Sequence, residues 1–88
     1  MTQLTFTKIE KGKFESTFTS GGGNTLQLGA TGSYLMLHVY ARVDESLEWT
    51  RVDSRPISGN FISWIDIPEG VFVRLEVDAD SVEFAYLK

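Results

Sequence analysis

Side chains that could carry chemistry are few in this sequence, and they are scattered. His38 is the only histidine, set between Leu37 and Val39, and there is no cysteine. A zinc ion needs three or four nitrogen, sulfur or oxygen ligands. No second histidine or cysteine completes a set, so His38 reads as a packed or interfacial side chain. Asp78, Asp80 and Glu83 resemble a calcium loop only superficially. The D-x-[DN]-x-[DN]-G spacing is missing, and aspartate is ordinary in turns. Gly21-Gly22-Gly23 has neither the Lys-Ser/Thr nor the following helix of a phosphate loop. The serines lack the glycine-flanked elbow of a nucleophile. The expectation is a non-enzymatic protein with no catalytic residue, no metal and no cofactor.

The aromatic residues say more, through the strands that would carry them. Ser33 to Val43 reads S-Y-L-M-L-H-V-Y-A-R-V. Successive strand side chains point to opposite sheet faces. Leu35, Leu37, Val39, Ala41 and Val43 therefore form one face, and Tyr34, Met36, His38, Tyr40 and Arg42 the other. A strand wet on one side alternates apolar with polar, so this one is expected to be covered on both. With Trp64 and Phe72, the residues Tyr34, Met36, His38 and Tyr40 make a second apolar set. Three readings stay open for it: burial by loops and an N-terminal arm, an interface with a neighbouring subunit, or a carbohydrate platform. Exposed apolar patches mark interfaces. A glycan-binding module would use Trp49, Trp64 and Tyr40.

Other segments with strand period cover residues 3–9, 13–19, 26–30, 47–52, 61–67, 71–77 and 82–86. Asp53 to Asn60 reads as a loop, Asp44-Glu45-Ser46 as a hairpin connection, and Pro68-Glu69-Gly70 as a tight turn with proline second and glycine fourth. No helical spacing runs beyond two turns. The expected fold is all-β, a compact antiparallel β-sandwich, jelly-roll or Ig-like, of seven to eight short strands. Residues 1–23 are expected as N-terminal strands forming an arm behind a glycine hinge, and 24–88 as the sandwich core, one domain overall.

The totals agree with a small assembled subunit. A 9.9 kDa fold exposes roughly 5,200 Å² by size scaling. Disulfides and a structural zinc, common staples of small domains, are not expected, which leaves assembly as a third. Twelve acidic against eight basic residues give a net charge of −4, opposite to the basic footprint of a nucleic-acid binder. Lys8, Lys11 and Lys13 cluster, but Glu10 and Glu15 interleave them. No apolar run approaches the ~20 residues of a membrane-spanning helix, and the N-terminal residues lack the layout of a signal peptide. Neither nucleic acid nor membrane is an expected partner.

From Gly32 to Tyr86, G-S-Y-L-M-L-H-V-Y-A-R-V, then W-T-R-V, then I-P-E-G-V-F-V-R-L-E-V, resembles the small accessory virion proteins of tailed bacteriophages. The resemblance covers about two-thirds of the chain and rests on short motifs. It implies a structural role: a head decoration or cement protein, or a tail or fibre-attachment subunit. Such a subunit is often trimeric or repeated, contacts itself and a major capsid or other virion protein, and resides in the virion after assembly in the host cytoplasm. It carries over no catalytic residue. A glycan-binding β-sandwich module is the alternative.

Overall fold

The computed structural model describes residues 1–88 and is an antiparallel β-sandwich with no helix. Its nine strands are β1 (Thr2–Gln3), β2 (Thr7–Glu10), β3 (Lys13–Thr19), β4 (Asn24–Thr31), β5 (Met36–Arg42), β6 (Thr50–Pro56), β7 (Asn60–Ile65), β8 (Phe72–Asp78) and β9 (Ser81–Leu87). One sheet has the order β1-β9-β4-β7 and the other β2-β3-β8-β5-β6. Only β2–β3 and β5–β6 are hairpins; every other consecutive pair changes sheet.

The inner faces follow the period-two pattern. Val73, Leu75 and Val77 of β8 and Leu37 and Val39 of β5 are buried against Leu26 and Leu28 of β4 and Ala85 and Leu87 of β9. These apolar sets hold the sheets together, because each would otherwise face water. The accessible surface of 5234 Å² matches the value expected for the mass.

Several expectations need correcting. Residues 3–9 do not form one edge strand. The chain leaves β1 after Gln3 and enters β2 at Thr7, in the other sheet, and Leu4 and Phe6 pack on the core at the crossing. That split gives nine strands rather than seven or eight. The stretch 1–23 is not a separate arm: β1 pairs with β9, and β3 runs along all of β8. Nor is the triple glycine a loose hinge. The Ser20 hydroxyl donates to the Ile67 carbonyl at 2.6 Å and accepts from the Gly22 N–H at 3.1 Å. The Ser20 backbone also bonds to Val71 and Gly70, so two inter-sheet turns are tied together.

β6 lies later than residues 47–52, and the expected loop 53–60 is strand as far as Pro56. Arg42 contacts the segment before β6, donating to the Leu47 carbonyl at 3.1 Å and lying 4.2 Å from the centre of the Trp49 ring. In the turn after β7, Val71 N–H bonds to the Pro68 carbonyl, so proline is first and glycine third. Gly70 has φ of +85°, which a type II turn requires at that position. β5 is one neighbour of the central strand, and β8 is the middle of its sheet.

Candidate interaction surfaces

Three surfaces have the composition to meet a partner: the side of the sandwich between β6 and β7, the outer face of the five-stranded sheet, and the outer face of the four-stranded sheet.

β6 and β7 are the terminal strands of their sheets on the same side of the molecule. They are seven and six residues long, and each has one unpaired backbone edge. Between them the sheets part into a cleft of about 440 Å³ lined by Val39, Ala41, Val52, Ile65, Ile67 and Val71. Val43 and Trp64 stand at its mouth, where they are 70% and 59% exposed, and Ile62 on β7 is 66% exposed. Val43 also lines an adjoining hollow with Leu47. The crossing from β6 to β7 closes only the other end, where Ile57 N–H bonds to the Leu35 carbonyl and Ala30 N–H to the Gly59 carbonyl.

The cleft is guarded by charge. Asp53 and Arg55 sit opposite Val39 and Leu37 in the ladder and share the inward face of β6. They pair at 3.3 Å, and the Arg55 guanidinium lies 5.6 Å from the centre of the Phe61 ring on β7. An inward-pointing ion pair is one way proteins keep an edge strand from indiscriminate pairing.

The outer face of the five-stranded sheet collects Met36, His38 and Tyr40 of β5 and Phe72 of β8, all half-buried. Tyr34 precedes β5 and is exposed. This face is not the apolar patch the sequence predicts, because β3 and β8 supply charges. Arg74 bonds Glu76 Oε2 at 2.7 Å, pairs with Glu15 at 3.3 Å and lies 4.8 Å from the centre of the Tyr40 ring. Lys13 reaches Glu76 Oε1 at 3.2 Å and Asp78 at 3.7 Å. No strand or loop buries this second face of β5; long side chains cover it instead.

His38 has partners that sequence spacing could not reveal. Its Nε2 lies 3.0 Å from Asp78 Oδ2 and its Nδ1 2.7 Å from the Ser54 hydroxyl. His38, Glu76 and Asp78 each place one donor atom within 4.8 Å of the others. The acids grouped by sequence are separated: Asp78 faces this cluster, Asp80 lies in the turn to β9, and Glu83 on β9 accepts from Thr31 and Ser81. Burial pulls the Glu76 carboxyl upward, but hydrogen bonds and charge from Arg74 and Lys13 outweigh it and leave the group below its usual range. Lys13 is raised, first by its hydrogen bond to Glu76 and then by the charges of Glu76 and Asp78.

Trp64 belongs to the third surface, on the opposite side of the sandwich from the other expected interface residues. It shares the outer face of the four-stranded sheet with Ile62, Thr25, Gln27, Phe84 and Tyr86. Its ring lies over Gly23, where an added Cβ would come within 2.7 Å, and Phe84 covers Gly29 in the same way. Trp49, Trp64 and Tyr40 therefore form no joint platform. Arg42 covers Trp49 and Arg74 covers Tyr40. Comparison with protein-family models, with curated proteins and with solved structures finds no match.

Proposed function

We propose that this protein is a non-enzymatic structural subunit of a virion, a capsid decoration or cement protein that reinforces contacts between shell proteins. The carrying observation is the open side of the sandwich, with an apolar cleft between two unpaired strand edges and Val43, Val52 and Trp64 exposed around it. The occupant assigned to it is a strand of a neighbouring subunit. Backbone hydrogen bonds to β7 would add it to the four-stranded sheet, and its alternate side chains would enter the cleft. Many such contacts repeated by symmetry hold through avidity. The resemblance of Gly32 to Tyr86 to phage accessory proteins supplies the virion context.

Sedimentation of the isolated chain, with and without assembled capsids, tests the proposal. Self-association or co-sedimentation with the shell is expected, and both should fall for Val52→Asp. A stable monomer without capsid affinity overturns it. A glycan-binding role has one favourable observation, the Trp64 ring packed against Gly23 while the residue stays 59% exposed. A glycan array giving a hit abolished by Trp64→Ala would establish that role instead.

A further inference from the structure

We propose that the outer face of the five-stranded sheet holds a divalent-cation site. His38, Glu76 and Asp78 bind a zinc-class ion there, and Lys13 fills the position when the ion is absent.

The three ligands come from adjacent central strands. Glu76 and Asp78 are two residues apart on β8 and so share a face, and His38 lies opposite Glu76 on β5. Close strand pairing thus converges a nitrogen and two carboxylates on one point. This position on paired strands, rather than on a loop, preorganises the donors.

Two observations besides this convergence point to an ion. Asp78 Oδ1 is shielded from solvent and has no hydrogen-bond partner; the nearest cation, Lys13 Nζ, stands off at 3.7 Å. A buried carboxylate oxygen without a donor is costly, and a metal ion would satisfy it. The second is the anchoring of His38 from outside the cluster. Without an ion, Nε2–H donates to Asp78 Oδ2 and Nδ1 accepts from the Ser54 hydroxyl. With an ion on Nε2, the ring proton moves to Nδ1 and donates to Ser54, the kind of outer contact that fixes the tautomer of metal-ligating histidines.

Charge and mobility identify Lys13 as the group that gives way. Glu15, Glu76 and Asp78 face only Lys13 and Arg74, so with a neutral imidazole the cluster is one charge negative; a dication replacing the ammonium makes it neutral. Glu76 is already divided between its two cations. Arg74 holds Oε2, while Lys13 holds the Oε1 that would become the metal ligand. The Lys13 side chain is 39% exposed against 8% for Glu76, and its flexible stem returns the ammonium to water at little cost. One imidazole with two carboxylates, and a fourth position for water, suits zinc and neighbouring first-row ions. Calcium requires six or more oxygens.

Calorimetric titration of the full chain with zinc chloride, with NMR of the single histidine ring, tests this. One ion per chain is expected, with His38 Nε2 perturbed on binding. His38→Ala and Asp78→Asn should each weaken binding at least tenfold, and Lys13→Met should strengthen it. That gain cannot arise from misfolding, and thermal melts check the folding of the weakened variants. No saturable zinc binding, or binding indifferent to Asp78→Asn, overturns the site. Unchanged or weaker zinc binding by Lys13→Met overturns the role given to the lysine.

Discussion

The two lateral sides of the sandwich solve the same problem in opposite ways. At one, the sheets end in β1 and β2, which are two and four residues long. β2 carries a register shift between Lys8 and Glu10, and the crossing chain drops Leu4 and Phe6 into the gap. Short length, a bulge and lysine are the usual means of blunting a sheet edge. At the other side, β6 and β7 are full-length, the gap is a cleft, and apolar residues stand exposed at its mouth. The Asp53–Arg55 pair, a bulge at Val52 and Pro56 at the strand end oppose pairing along β6, while β7 carries no such device. One side of the sandwich is thus closed by the fold itself, and the other keeps two strand edges and an apolar cleft uncovered.

That contrast can be broken or sharpened by substitution. Leu4→Ala removes the wedge of the closed side and should cost about 2–5 kcal/mol in urea unfolding, while the association proposed for the open side persists in the folded molecules. If Leu4→Ala is neutral, the closed side has no structural role. On the open side, Val52→Asp combined with Ile62→Asp should weaken association about a hundredfold, ~2.7 kcal/mol, with the thermal midpoint almost unmoved. Sedimentation equilibrium measures the first and calorimetry the second. Gly23→Ala forces a side chain into a backbone with φ of +120° and against the Trp64 ring. It should cost about 1–2 kcal/mol and shift Trp64 fluorescence. Lys8→Ala, on the blunted edge, should change stability by no more than about 0.5 kcal/mol; a gain in association would show that charge alone kept β2 unpaired.

Much of the fold was legible because alternation reports directly on which face of a strand is buried. Phe14 to Thr19 and Phe72 to Val77 are strands where the pattern placed them, and Leu37, Val39, Val73 and Leu75 are core. Alternation does not say which sheet a strand joins, so the crossing at Leu4 to Phe6 was invisible. β6 was misplaced because its inward positions are Asp53 and Arg55 rather than apolar residues. The surfaces were harder still. Met36, His38, Tyr40 and Phe72 do share a face, but Trp64 does not, and the charges that turn that face polar come from β3 and β8. His38 meets Asp78 through strand pairing across 40 positions, a proximity that no local motif encodes.

The strand order also has a consequence for how the molecule is made. β8 fills the middle of the five-stranded sheet between β3 and β5, and β9 lies between β1 and β4 in the other. Both keystones follow in the chain the strands they join. During synthesis the earlier strands must therefore wait, unpaired on at least one edge, until the keystones arrive. Pairings between distant segments place such folds among the slower, millisecond-to-second class. In that interval the charged positions along β2 and β3 would do a second service, keeping unfinished chains from adding to one another before each has closed on itself.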